Sequence, residues 1–137
     1  MKVGFNAYLA CQTQSPEQSP VTCVGWNRVN GLIACGHKNG FITIACIEQD
    51  SEHPGCSRIR IKSTIPEHHC EITSLVWNER YDRLITTDIS GLILIWSERE
   101  GKWTQIKPAD RTGYKITSIT CSINGEYVAL SYENGLV

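Results

Sequence analysis

Residues 72–93 read ITSLVWNERYDRLITTDISGLI, and this stretch recurs twice more in the 137-residue chain. Moved back by 51 positions without a gap, it lies over residues 21–42, VTCVGWNRVNGLIACGHKNGFI. Moved forward by 44 positions, again without a gap, it lies over residues 116–137, ITSITCSINGEYVALSYENGLV. Thr22, Thr73 and Thr117 coincide, as do Trp26 and Trp77, Asn27 and Asn78, and Gly40, Gly91 and Gly135. Self-similarity at a fixed period means that one structural unit is repeated, each copy too small to bury its apolar face alone.

Each copy reads as short strands separated by turns. The first strand is Val21–Trp26, Ile72–Trp77 or Ile116–Cys121, and a polar turn follows it. The second is Leu32–Gly36, Leu84–Thr87 or Val128–Ser131, ending at Asn39-Gly40, Ser90-Gly91 or Asn134-Gly135. Asn-Gly between apolar runs predicts a two-residue type I′ hairpin, with positive φ at Gly40 and Gly135 and also at Asn39 and Asn134. On that geometry Asn39→Val should cost about 1 kcal/mol or more, because a β-branched residue resists φ > 0. Ser90 fits the turn less well, though Gly91 still relieves half the strain.

The third strand, Phe41–Ile47 or Leu92–Trp96, is apolar on consecutive residues, which implies burial on both faces. Small sheets stacked face to face make that demand. A fourth strand, Arg58–Lys62 or Lys102–Lys107, alternates polar and apolar residues and carries lysine or arginine, as an outer edge strand should. Four strands per unit at this spacing are the arithmetic of a WD-repeat β-propeller. The expected fold is therefore all-β, with antiparallel four-stranded blades over approximately 21–62 and 72–107 and most of a third over 116–137. A closed propeller needs about four to eight blades. The expectation is an open arc, the N-terminal part of a longer propeller, with Val3–Cys11 a strand of the missing closing blade.

Composition narrows the function classes. Hydrophobic residues make up 41% and charged residues 20%, too apolar for a disordered chain. A net charge of −1 with interspersed signs provides no basic footprint for nucleic acid or an anionic membrane. No apolar run reaches the length of a membrane span, and the brief run at the start, broken by Asn6, does not read as a signal peptide. The seven cysteines include no C-x-x-C pair, and Cys23, Cys35, Cys46 and Cys121 sit in apolar runs. They read as buried free thiols of a cytosolic protein.

Two constellations suggest chemistry without supplying its geometry. Cys46, His53, Cys56, His68, His69 and Cys70 are zinc-compatible residue types, but the tight cysteine pair of a structural site is missing. No nucleophile elbow, phosphate loop or metalloprotease helix motif accompanies the histidines. The expectation is a non-catalytic protein with no metal and no cofactor. Trp26, Trp77 and Trp96 read as blade-stacking residues, and Trp103 on the outer strand as the tryptophan most suited to face a partner. Gln49–Ser57 reads as an exposed insertion. Bare blade faces are expected at Val128–Leu130 with Leu136 and Val137, and among Phe41, Ile42 and Ile44 of the first blade. Such faces should make residues 1–137 alone aggregate, oligomerise or melt without cooperativity.

The middle unit resembles the WD-repeat consensus, which has a histidine before the first strand, a Ser/Thr on the second, an aspartate at the tight turn and a tryptophan ending the third. By spacing, His68, Thr86, Ser90 and Trp96 hold those places. Ser90 stands where the consensus has aspartate, so it is open whether the usual hydrogen-bonded tetrad forms, with Asp88 two residues earlier. The first blade offers Glu17, Cys35, Asn39 and Ala45 there, no tetrad at all. Val76–Glu79, Tyr81, Leu84, Thr87-Asp88, Gly91–Ile93, Ile95-Trp96 and Gly101–Trp103 resemble the WD subfamily that supplies a subunit of intraflagellar transport complex A. The tubby-like WD proteins with a SOCS box are similar through the same unit. The first resemblance implies a scaffold that binds other complex A subunits and ciliary cargo adaptors, acting in retrograde transport and cilium assembly in the cytoplasm and at the ciliary base. The second implies substrate recognition for a ubiquitin ligase. A third possibility is an unrelated WD scaffold, because fold alone does not assign function.

Overall fold

The structure, a computed structural model, describes residues 18–107 and 110–137. The expected strand at Val3–Cys11, and Glu17, lie outside the described residues. Among the described residues there are eleven strands: β1 Val21–Trp26, β2 Ile33–His37, β3 Ile42–Gln49, β4 Ser57–Ile65, β5 Ile72–Asn78, β6 Arg83–Asp88, β7 Leu92–Arg99, β8 Lys102–Gln105, β9 Asp110–Arg111, β10 Ile116–Cys121 and β11 Val128–Tyr132. They form three antiparallel sheets in sequence order, β1-β2-β3-β4, β5-β6-β7-β8 with β9 also on β7, and β10-β11. The outer strand expected at Lys102–Lys107 thus stops at Gln105, and the short β9 pairs Leu92 with Arg111.

Each first strand begins with a bulge at the same place, between Val21 and Cys23, Ile72 and Ser74, and Ile116 and Ser118. The extra residue is the repeated threonine. Its hydroxyl donates across the bulge to the carbonyl of Gly36 (3.1 Å), Thr87 (3.4 Å) or Ser131 (3.1 Å). A β-bulge leaves one residue out of the ladder and sharpens the local twist. Threonine recurs here because it both favours a strand and supplies a hydroxyl for the bond.

The hairpin turns differ from the two-residue expectation. Gly40 and Gly135 have φ of 87° and 84°, but Asn39 and Asn134 are not among the residues of positive φ. The Gly40 amide donates to the His37 carbonyl (3.1 Å) and the His37 amide to the Phe41 carbonyl (3.0 Å), so three residues form the loop. This is a type I turn followed by a left-handed glycine bulge, the next commonest hairpin connection. The Asn39 side-chain oxygen accepts the Phe41 amide (3.1 Å), which is what an asparagine can do in a turn without adopting φ > 0. The expected effect of Asn39→Val changes in cause. It comes from losing this one exposed hydrogen bond, about 1 kcal/mol, and Asn39→Asp should retain most of it. Urea midpoints of the two variants check this.

The blades stack face to face. Leu32, Ala34, Ile42, Ile44 and Ile65 of the first sheet form one buried cluster with Ile72, Leu75, Trp77, Leu84, Leu94 and Trp96 of the second. Ile116 and Ile119 of β10 are buried in turn, and β10 packs against β5. The expected bare face of the first blade is therefore misplaced. Ile42 and Ile44 are buried in the cluster shared with the second blade, and β3 buries four consecutive residues, Ile42, Thr43, Ile44 and Ala45. On β1 the large hydrophobic residues Val21, Val24 and Trp26 are exposed, and on β3 Ile47 is exposed as well. At the other end Val128, Leu136 and Val137 are exposed, as expected.

Candidate functional site

The best-defined polar constellation lies inside the second blade. His68, from the β4–β5 connection, places Nδ1 2.9 Å from Oδ2 of Asp88 and Nε2 2.8 Å from Oγ1 of Thr86. The Trp96 indole N–H donates to the same Thr86 hydroxyl oxygen at 2.9 Å. All four side chains are buried. The proton order follows from satisfying every group. Neutral His68 donates from Nδ1 to the Asp88 carboxylate and accepts the Thr86 hydroxyl proton at Nε2, leaving Thr86 Oγ1 to accept from Trp96. A protonated ring would strand the Thr86 proton in a dry site.

Asp88 is thus the carboxylate of the tetrad, and the reading that put Ser90 in that place is corrected. Ser90 serves it from the turn: its amide (2.9 Å) and hydroxyl (2.6 Å) both donate to Asp88 Oδ1, with the Leu92 amide at 3.2 Å. Burial pushes the Asp88 carboxyl up, but the Ser90 hydroxyl, His68 and the Leu92 amide together hold it below its usual value. Burial pushes the His68 imidazole down and outweighs the pull of Asp88 in the other direction. Both shifts mean that the unfolded chain binds more protons, so stability rises with pH through both windows. The His68 contribution is lost as pH falls from about 6.5, the ordinary histidine value, towards its lower folded value. The Asp88 contribution is lost below about 3.9, the ordinary aspartate value. A melting temperature that falls steadily below neutrality, and whose decline above pH 4 disappears in His68→Gln, is the expected result.

The tryptophans separate into roles that spacing alone did not distinguish. Trp77 is buried and donates its indole N–H to the Gly25 carbonyl of the first blade (3.1 Å). Trp96 is buried in the tetrad. Trp26, expected to stack likewise, is exposed. Trp103, expected to face a partner, instead packs edge-on against Trp77 with ring centroids 5.8 Å apart and is half-buried.

A cleft of about 400 Å³ opens where β1, β5 and β10 converge, lined by Trp26, Arg28, Trp77, Glu79, Cys121 and Ile123 among others. Its rim is tied across the blades. The Arg28 guanidinium meets both oxygens of Glu79 at 3.2 and 3.1 Å, and the Arg28 amide donates to the same carboxylate at 2.8 Å. Two buried asparagines, alike in the repeat, act as latches to the next blade: Asn27 Nδ2 donates to Asp82 (3.4 Å) and Asn78 Nδ2 to the Gly125 carbonyl (2.9 Å). Around this end of the blades the turns expose Val29, Tyr81, Ile123 and Tyr127.

The zinc-compatible residues do not assemble. Cys46 donates its thiol to Glu48 (3.6 Å), His53 pairs with Asp50 (3.5 Å), and His68 is committed to the tetrad. Among the described residues no three His, Cys, Asp or Glu side chains converge as metal ligands. The six cysteines described are free thiols, and burial raises the pKa of Cys23, Cys35 and Cys121. Among the described residues no helix is long and apolar enough to cross a membrane. The segment Asp50–Cys56 is a compact turn, closed by the Asp50 amide on the Cys56 carbonyl (2.9 Å).

A family model described as "WD domain, G-beta repeat" matches residues 59–97, the span that contains all four members of the tetrad. The chain carries a WD repeat. Among curated proteins it is similar to human WD repeat-containing protein 35, 29% identical over 136 residues, and to human Tubby-related protein 4, 28% identical over 124 residues. These matches cover 95% and 90% of the chain but 12% and 8% of the relatives. Among solved structures it superposes on Saccharomyces cerevisiae Sqt1 with a TM-score of 0.60 and 15% identity, covering 74% of this chain and 26% of that one. The β-propeller domain of Myceliophteria thermophila Cps50 (Swd1) gives 0.61 and 22%, covering 82% and 32%. The fold is a partial WD-repeat β-propeller.

The flanking units depart from the WD repeat in their polar centre. In the first blade His37 lies where Asp88 lies in the second, 51 positions on, and it is buried. Its Nε2 is 2.9 Å from the Thr43 hydroxyl and its Nδ1 is 3.2 Å from the Ser19 carbonyl. A His–Thr link thus takes the place of the tetrad, and of the residues assigned to it by spacing neither Cys35 nor Asn39 joins this link. In the third unit Tyr132 occupies the corresponding position. Among the described residues only the middle unit keeps the complete set, and it lies within the span that the family model matches.

Proposed function

We propose that this chain belongs to a non-catalytic protein-interaction scaffold of the intraflagellar transport complex A type, working in retrograde transport and cilium assembly in the cytoplasm and at the ciliary base. The observation that carries this reading is the extent of the similarity to WD repeat-containing protein 35. It runs over 95% of the chain and so includes the two units whose polar centres depart from the WD repeat. The partners in this reading are other complex A subunits and ciliary cargo adaptors, recognised through protein surfaces.

The stacked sheets supply rigidity, and the turns of successive blades supply the contact surface. Val29, Tyr81, Ile123 and Tyr127 place apolar and aromatic groups along one end of the arc, the residue types that anchor protein interfaces. The test is to tag the full-length protein in ciliated cells, purify it, and image it. Co-purification with complex A subunits and signal at the ciliary base are expected, and Ile123→Asp with Tyr127→Asp should weaken the association. Co-purification with a cullin-type ligase instead would replace this reading by the substrate-recognition role suggested by the likeness to Tubby-related protein 4.

A further inference from the structure

A groove of about 290 Å³ separates the first and second blades at their outer strands, lined by Leu32, Ile44, Lys62, Ser63, Glu98 and Trp103 among others. One wall is β4 of the first blade, and the other is formed by β7 and β8 of the second, both of them four-strand sheets. The floor is apolar: Leu32 and Ile44 are buried and Trp103 is half-buried. Trp103 is held by its contact with Trp77, ring centroids 5.8 Å apart, and its open part lines the groove. The volume lies just under the roughly 300–1,000 Å³ of pockets that enclose a small molecule. It suits one large side chain brought in by a longer chain.

The polar groups reach this groove through an irregularity that the second blade does not share. In the β3–β4 ladder Ile44 pairs with Ser63 but Ala45 pairs with Ile61, so Lys62 is the extra residue of a bulge. The β7–β8 ladder runs from Trp96 to Arg99 without a register shift. Strict alternation would send neighbouring side chains to opposite faces of the sheet. The bulge re-aims them, and both Lys62 and Ser63 line the groove. The Ser63 hydroxyl oxygen is buried and, among the described residues, has no hydrogen-bond partner. Such an orphan costs stability, and with no bond to hold it the hydroxyl is free to turn about χ1 into the groove. Lys62 and Glu98 are exposed on opposite walls, and among the described residues neither has a salt-bridge partner.

We propose that this groove docks an extended peptide segment of another protein, seating one apolar side chain on Leu32, Ile44 and Trp103 between an acidic residue facing Lys62 and a basic residue facing Glu98. The Ser63 hydroxyl turns to bond the segment's backbone and so gains the partner it lacks within the chain. Tryptophan is the residue type that most often anchors a protein contact. The two walls supply the selection. Unpaired charges of opposite sign across an apolar floor favour a segment with opposite charges on its two flanks and repel one with the order reversed. Stacked sheets hold the floor in place before the segment arrives, so little ordering is needed on binding. The groove lies between the blade walls, away from the turns used in the ciliary reading, and the inference does not depend on that reading.

Fluorescence anisotropy with the purified full-length protein tests it. The probes are two labelled glycine–serine peptides with a central leucine, one with glutamate before it and lysine after, the other in the reverse order. Saturable binding of one peptide in preference to the other is expected. Lys62→Glu should weaken that binding about tenfold, because an attractive exposed pair becomes a repulsive one. Ser63→Ala should weaken it about fivefold, for one lost hydrogen bond. Melting temperatures of both variants should match the parent. Lys62→Glu combined with Glu98→Lys should prefer the peptide that the parent rejects. Hydrogen exchange on the parent gives a reading free of variants: the bound peptide protects amides of β4 and β8 but not those of β10. Failure of both peptides to bind, as when another segment of the same protein fills the groove, overturns the proposal. So does binding indifferent to Lys62→Glu and Ser63→Ala, or an exchanged pair that keeps the parent's preference.

Discussion

Asp88→Ala is expected to lower the stability of the chain by about 3 kcal/mol or more, because hydrogen bonds to a charged group contribute about 1.5–3 kcal/mol and a stranded buried donor costs about 1–3 kcal/mol, whereas Ser90→Ala should cost about 1 kcal/mol. The difference follows from what each side chain leaves behind. Asp88 accepts four hydrogen bonds, from His68, the Ser90 amide and hydroxyl, and the Leu92 amide. Its removal strands a buried imidazole N–H and unfastens the β6–β7 turn together. Ser90→Ala removes only one of the four donors. Thr86→Val, nearly the same in shape, should fall between them at about 2 kcal/mol, because it orphans the Trp96 indole N–H and the His68 Nε2 lone pair. Denaturant unfolding at one fixed protein concentration ranks the three. Equal losses for Asp88→Ala and Ser90→Ala would contradict the assignment of the carboxylate.

Gly40→Ala is expected to destabilise by about 3 kcal/mol or more, summing left-handed strain and overpacking, while Gly135→Ala should cost about 1–2 kcal/mol from strain alone. The two glycines occupy the same repeat position with nearly the same φ, 87° and 84°. Their surroundings differ. A Cβ on Gly40 would run into the His68 carbonyl oxygen and lie 2.8 Å from that of Cys70, both backbone atoms of the β4–β5 connection. A Cβ on Gly135 meets nothing within 4 Å. Displacing the His68 backbone also disturbs the tetrad, so Gly40→Ala in the first blade should weaken the pH dependence that arises in the second. Thermal melts at pH 7 and pH 5 of both variants provide the measurement.

The repeat is legible in the amino acids alone: three ungapped copies set the all-β class, the strand order, and the first- and second-strand boundaries to within a residue or two. Those features depend on chain-local physics, namely side-chain alternation, apolar runs and glycine at positions of positive φ, and each is written in consecutive residues. Even the repeated threonine, whose role at a bulge spacing did not suggest, is a local device. The tertiary structure decided which residues meet. Asp88 rather than Ser90 completes the tetrad because the tight turn folds the serine back onto the carboxylate, and only the path of the β4–β5 connection brings His68 over it. His37 was legible as the counterpart of Asp88 in the 51-position shift, but its bond to Thr43 crosses between strands and has no signature in spacing. Trp26 and Trp77 are identical by repeat position and opposite in exposure, since a blade lies over one and not the other. Burial in a stacked architecture is a property of neighbouring sheets, so equal sequence positions acquire unequal environments.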